Sequence, residues 1–179
     1  MKNSILTIAV FVITLISSFQ LTAQKFKSLD KSPMDVAAFP NSYKISDKLV
    51  KVIYSRPQLN GRDLMKLAPA EKIWRTGANE AAEITFYKDV IFGGKELKAG
   101  TYSLFTIPSY SGDWTVIINK ARNVWGSYYY QQDQDVVRVS GKTSKTEKNI
   151  EAFSMMFDKN MTLKMGWGKT VVSVSINNL

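Results

Sequence analysis

Met161-Thr162-Leu163-Lys164-Met165-Gly166-Trp167 puts Met161, Leu163, Met165 and Trp167 on one side of the chain and Thr162 and Lys164 on the other. A strand turns successive side chains to opposite faces, whereas a helix gathers apolar residues three and four apart. The run therefore reads as a half-buried strand. The same alternation recurs upstream: Val50, Val52 and Tyr54 oppose Lys51, and Ala82, Ile84 and Phe86 oppose Glu83, Thr85 and Tyr87. Trp114, Val116 and Ile118 likewise oppose Thr115, Ile117 and Asn119. The apolar faces predict a core of Val52, Ile84, Phe86, Leu104, Val116, Ile118, Phe153, Leu163, Met165, Val172 and Val174.

Turn signals punctuate these runs. Gly93-Gly94 marks a hairpin between residues 89–92 and 95–97, and Lys98-Ala99-Gly100 precedes a strand over 101–107. Residues 109–113 follow Pro108 as a further turn, and 166–169 are read as reversing the chain before a strand over 170–176. Helical spacing appears only near Asp63 to Leu67, where Leu64 and Leu67 are three apart. About nine or ten short strands with little helix predict an all-β fold, an antiparallel β-sandwich or jelly-roll. The pattern assigns 42–179 to a single β domain and 24–41, aperiodic with Pro33 and Pro40, to an N-terminal arm.

Residues 1–23 read as a signal peptide. Lys2 is followed by an apolar run from Ile5 to Ile16, shorter than the ~20 residues a spanning helix needs, and Ala23 suits the residue before a cleavage site. The mature chain is expected to begin at Gln24, with no transmembrane span after signal removal, in the periplasm or outside the cell. Without cysteine it cannot be a lipoprotein or form disulfides, so stability has to come from core burial. A composition 45% hydrophobic and 22% charged supports such a core. The net charge of +9 would suggest nucleic acid in the cytoplasm. Export redirects it to anionic polysaccharide, lipid head groups or acidic ligands, and no nucleic-acid partner is expected. Lys142, Lys145 and Lys148 form the one loose basic cluster and read as a solvated strand or loop.

Histidine is absent as well, which excludes Ser-His-Asp and Cys-His catalysis and histidine-ligated metals. Asp133 and Asp135 lack the glycine and glutamate of a calcium loop, so no metal site and no cofactor are assigned. The most distinctive local chemistry is Trp74-Arg75-Thr76-Gly77-Ala78-Asn79-Glu80. A fork donor, an amide and a carboxylate around a glycine turn can read hydroxyls or a carboxylate. The same residues also fit a purely internal arrangement, with Arg75 paired to Glu80 and Asn79 satisfying loop carbonyls. Tyr54-Ser55-Arg56-Pro57, Gly61-Arg62 and the aromatic stretch Trp125-Gly126 to Tyr130 are candidates to converge with it. The candidate ligand-binding set is Tyr54, Arg56, Arg62, Arg75, Asn79, Glu80, Trp125 and Tyr128, against the alternative that these aromatics fill the core.

Those motifs, with Ala99-Gly100-Thr101-Tyr102-Ser103-Leu104-Phe105-Thr106-Ile107-Pro108 between them, occur in an order that resembles the DUF2911 family of exported bacterial proteins, from about Ser32 to Ile176. The resemblance implies a cell-envelope protein and brings no activity with it. Three readings follow. The first is a non-enzymatic module that binds carbohydrate or an anionic small ligand. The second is a carboxylate-based glycan hydrolase, with Glu80 joined by Asp63, Glu71 or Asp135. The third is a structural or assembly partner that offers an edge strand.

Overall fold

A computed structural model describes residues 26–179, so the signal-peptide assignment lies outside the described residues. The chain runs β1 (Met34–Phe39), β2 (Val50–Ser55), α1 (Leu64–Leu67), β3 (Ala82–Phe86), β4 (Val90–Phe92), β5 (Lys95–Leu97), β6 (Gly100–Ile107) and β7 (Trp114–Asn119). A single 3-10 turn (Gln132–Gln134) then leads to β8 (Asp135–Phe157), β9 (Leu163–Val174) and β10 (Ile176–Asn178). Seven strands form one antiparallel sheet in the order β1-β2-β3-β6-β7-β8-β9, and β10-β4-β5 form a second. The all-β antiparallel class expected from the alternation is the observed one. Gly93 and Gly94, both at positive φ, turn β4 into β5 as the hairpin signal predicts.

The large sheet curls until β8 meets the chain that leaves β2. Gln58 bridges Ala152. The Phe153 N–H donates to Pro57 O at 2.9 Å, and the Leu59 N–H donates to Glu151 O at 3.0 Å. The buried Tyr54 hydroxyl accepts the Met155 N–H at 2.8 Å and lies 3.4 Å from the Met155 carbonyl. Arg56 completes the closure. Its Nε donates to Phe153 O at 3.1 Å, Nη1 to Asp35 Oδ2 at 3.0 Å and Nη2 to Ser154 Oγ at 2.8 Å. One guanidinium thus joins β1, β2 and β8. β8 is long because its two ends do different jobs, pairing with β7 near Asp135–Gly141 and with β9 as far as Phe157. Register shifts between Lys145 and Ile150 and between Ile150 and Ser154 let it bend on the way.

Inside the curl Trp74 stacks on Trp167 at 5.5 Å and meets Phe153 and Trp114 edge-on at 5.0 and 6.1 Å. Every residue of the predicted core is buried there. Three local expectations differ. Residues 34–39, read as part of an arm, form the edge strand β1, in register with β2 from Met34↔Ser55 to Phe39↔Val50. The chain does not reverse at 166–169, because β9 runs straight through. A Cβ on Gly166 would lie 2.7 Å from Ile150 Cδ1, so that glycine admits the neighbouring strand's side chain instead of turning the chain. Ile117 and Asn119, assigned to the face opposite the core, are fully buried, since that face carries a second layer. No helix among the described residues is long and apolar enough to cross a membrane.

Two substitutions check this fold by denaturant titration. Leu163→Ala leaves a cavity in the centre and is expected to cost ~2–5 kcal/mol. Tyr54→Phe keeps the ring but strands the Met155 N–H, and is expected to cost about 1–3 kcal/mol. A cost near zero for Tyr54→Phe contradicts the closure described above.

Candidate functional site

The strand line of β3 begins before β3 itself. Trp74 exchanges both backbone bonds with Thr106, at 2.7 and 2.9 Å, and the Ala82 N–H donates to Arg75 O at 3.0 Å. Residues 76–81 are therefore extruded from the sheet as a loop. Thr76 and Asn79 make its corners at φ +55° and +60°. A β-branched residue in that left-handed region is strained by about 1–3 kcal/mol. Thr76 is fully buried, and its Oγ1 lies 3.3 Å from Trp74 O and 3.2 Å from Thr106 Oγ1, which hold the corner in place. Gly77 lies against β2: a Cβ there would sit 3.0 Å from Ser55 O.

A second loop, residues 120–134, returns over the outer face of β6 and β7. Asn119 locks its base. The amide Nδ2 donates to Asp135 Oδ1 at 2.8 Å and to Gln131 O at 3.0 Å, while Oδ1 accepts the Ala121 N–H at 2.9 Å. Tyr130 donates its hydroxyl to Asp135 Oδ2 at 2.6 Å, and Arg138 pairs with the same oxygen at 3.4 Å. Burial, followed by the Asp135 carboxylate, drives the Tyr130 pKa well above the usual phenol value. Ala81, Phe105 and Ile117 fill the space beneath, packed by Ile73, Ile107, Val124 and Tyr130.

The two loops run beside each other as a short ladder. The Asn123 N–H donates to Glu83 Oε1 at 2.6 Å, the Ala81 N–H to Val124 O at 3.0 Å and the Gly126 N–H to Asn79 O at 2.9 Å. Glu80 bridges Trp125, and Ser127 Oγ donates to Ile73 O at 3.2 Å. At one end of this ladder a groove of about 240 Å³ is lined by Met34, Ile53, Tyr54, Ser55, Glu80, Ala81, Glu83 and Asn123. That is smaller than the ~300–1,000 Å³ clefts that engulf drug-sized ligands, and it suits one ring-sized unit of a longer molecule. Trp125, 57% exposed, stands opposite Glu80, and Tyr128 and Tyr129 are each 80% exposed.

The candidate residues fall into two groups. Tyr54 and Arg56 serve the closure of the sheet, although Tyr54 also lines the groove. Arg62 is spent on its own turn, donating to Leu59 O at 2.9 Å and Gln58 O at 2.7 Å. Arg75, Asn79, Glu80, Trp125 and Tyr128 lie on the paired loops. No ion pair joins Arg75 to Glu80 among the described residues. Of the carboxylates considered as partners for Glu80, Asp63 caps α1 and Asp135 holds the base of the outer loop. Glu83 and Asn123, which were not among the candidates, share the groove with Glu80. The alternation had assigned Glu83 to the solvent face, and that assignment was the available signal.

A family model described as a protein of unknown function (DUF2911) matches residues 32–176. No curated protein and no solved structure matches the chain.

Gly77→Ala drives a methyl group toward the Ser55 carbonyl and is expected to cost about 1–3 kcal/mol, read as a lowered denaturant midpoint. Alkaline pH gives a second check. Burial raises the pKa of Tyr54 and of Tyr130, and lifts Tyr110 to about 12. A phenol with a raised folded pKa contributes stability that is whole below its unfolded value of about 10 and is lost as pH rises through the folded value. The unfolding midpoint is therefore expected to fall from about pH 10 upward, with phenolate absorbance from these rings appearing only as the chain unfolds. A midpoint indifferent to pH across that range contradicts the burial of these hydroxyls.

Proposed function

The chain belongs to the DUF2911 family, and from that premise we propose that it is a non-enzymatic carbohydrate-binding β domain, exported to the cell envelope or beyond. One observation carries the reading: the exposed Trp125 stands at Glu80, beside a groove in which Glu80, Glu83 and Asn123 offer polar groups next to Ile53 and Ala81. A sugar ring has one demand for an apolar face and another for hydrogen-bond acceptors on its hydroxyls. An aromatic platform meets the first and fixed carboxylates meet the second. Trp125, Tyr128 and Tyr129 are kept in water on a loop whose base is locked by partly buried hydrogen bonds, so the platform is held ready. Rigid aromatic presentation lowers the ordering cost of binding.

A second reading, glycan hydrolysis, draws on the presence of both Glu80 and Glu83 in one groove. Hydrolysis requires two carboxyl groups about 5–5.5 Å apart for retention or about 6.5–9.5 Å for inversion. The Asn123 N–H held by Glu83 favours a positioning role for that carboxylate over a reacting one.

A glycan array followed by calorimetry on the best ligand tests the proposal. Trp125→Ala is expected to weaken binding by about tenfold, with the melting temperature unchanged because the ring is largely solvent-exposed. Intact oligosaccharide recovered after long incubation is expected for a binder, whereas new reducing ends select the hydrolase. Binding that ignores Trp125→Ala overturns the assignment of this surface.

A further inference from the structure

We propose that Arg75 is an anion hook beside the same site, and that the saccharide bound there carries a carboxylate, as a uronic acid does, seated on the guanidinium. The proposal rests on the carbohydrate reading above and names its ligand class.

Arg75 differs from the other arginines of the motifs. Arg56 makes three hydrogen bonds and Arg62 makes two, all to this chain. The Nε of Arg75 is buried without a hydrogen-bond partner, and no ion pair among the described residues engages its guanidinium. Leaving that N–H unpaired is costly, because a buried donor loses hydration and gains nothing in exchange. Burial lowers its pKa from the usual guanidinium value. A planar carboxylate is the natural complement of the two terminal guanidinium nitrogens, which are neither buried nor hydrogen-bonded within the described residues, since two parallel N–H···O bonds satisfy both.

The ladder between the loops orders the site. Asn123 meets Glu83, Trp125 meets Glu80, and farther along Ser127 meets Ile73, two residues before Arg75. Arg75 makes no ion pair with Glu80 or Glu83 among the described residues, so the carboxylates and the unpaired cation are separate groups of the site. A ligand spanning this length would present hydroxyls to Glu80 and Glu83 and its own carboxylate to Arg75, so like charges are kept apart. The chain's net charge of +9 favours the approach of a polyanion without selecting one.

Calorimetry at low salt on the full chain, with oligogalacturonate and its neutral methyl ester, isolates the carboxylate. The acid is expected to bind at least about tenfold more tightly than the ester. Arg75→Gln should remove that preference and leave ester binding within about twofold, with a melting temperature equal to or above that of the parent. Arg75→Lys, which keeps the charge but loses the fork, should recover only part of the preference. A sulfated oligosaccharide separates the hook from general attraction: equal losses of acid and sulfated ligand on raising salt, with Arg75→Gln affecting neither, overturn the hook. Equal binding of acid and ester by the parent also overturns it. If neutral saccharides then still bind in a Trp125-dependent way, the carbohydrate reading survives alone. If no saccharide binds, both fall.

Discussion

Closure of the curled sheet, where residues 57–59 meet 151–153, is the constraint on which the other features depend. A seven-stranded antiparallel sheet left open would splay at β1 and β2, exposing unpaired backbone and the aromatic centre around Trp74. Backbone pairs at Pro57, Gln58 and Leu59 prevent that, and Tyr54 and Arg56 reinforce them from the adjoining strand. The Arg56–Asp35 ion pair is 36% exposed on one side and 41% on the other, so solvent screening leaves it a small direct share. The buried bond to Met155 and the partly buried one to Phe153 matter more, because each would leave a stranded backbone group if broken. The consequence reaches the site directly. Ser55 follows Tyr54, and Gly77 of the extruded loop rests on the Ser55 carbonyl, so the closure sets the position from which Glu80 is presented.

The outer loop depends on a separate lock. Asn119 and Asp135, joined by Tyr130 and Arg138, fix both ends of residues 120–134 while Phe105 and Ile117 fill the space beneath. The exposed aromatics thus stand on a rigid base. That combination separates them from aromatics left in water by a floppy segment, and it is why they are read as a prepared surface.

Much of this architecture was legible in alternating residues. The inward faces of β2, β3, β7 and β9 were marked by apolar residues at every second position, and the Gly93-Gly94 turn was marked by its own chemistry. β1 was not legible, since an edge strand with one partner needs backbone pairing more than an apolar face; Met34 and Val36 point largely into solvent. Nor was the full length of β8, whose middle carries solvated lysines and only Ile150 to mark a buried side. Ile117 and Asn119 were assigned to the face opposite the core because alternation reports one core and cannot register a second layer laid over it by a distant loop. The motif residues stood out as unusual. Their division into Tyr54 and Arg56 for closure and Arg75, Glu80 and Trp125 for the loops was hidden, because it depends on backbone contacts across about a hundred positions of sequence.

Hydrogen–deuterium exchange on the full chain, with and without a saturating uronate oligosaccharide, tests this division most directly. Protection on ligand addition confined to residues 75–83 and 123–130, with 54–59 and 151–155 slow to exchange in both states, is the result the account predicts. Ligand-dependent protection at 54–59 and 151–155, with the paired loops unchanged, would contradict it.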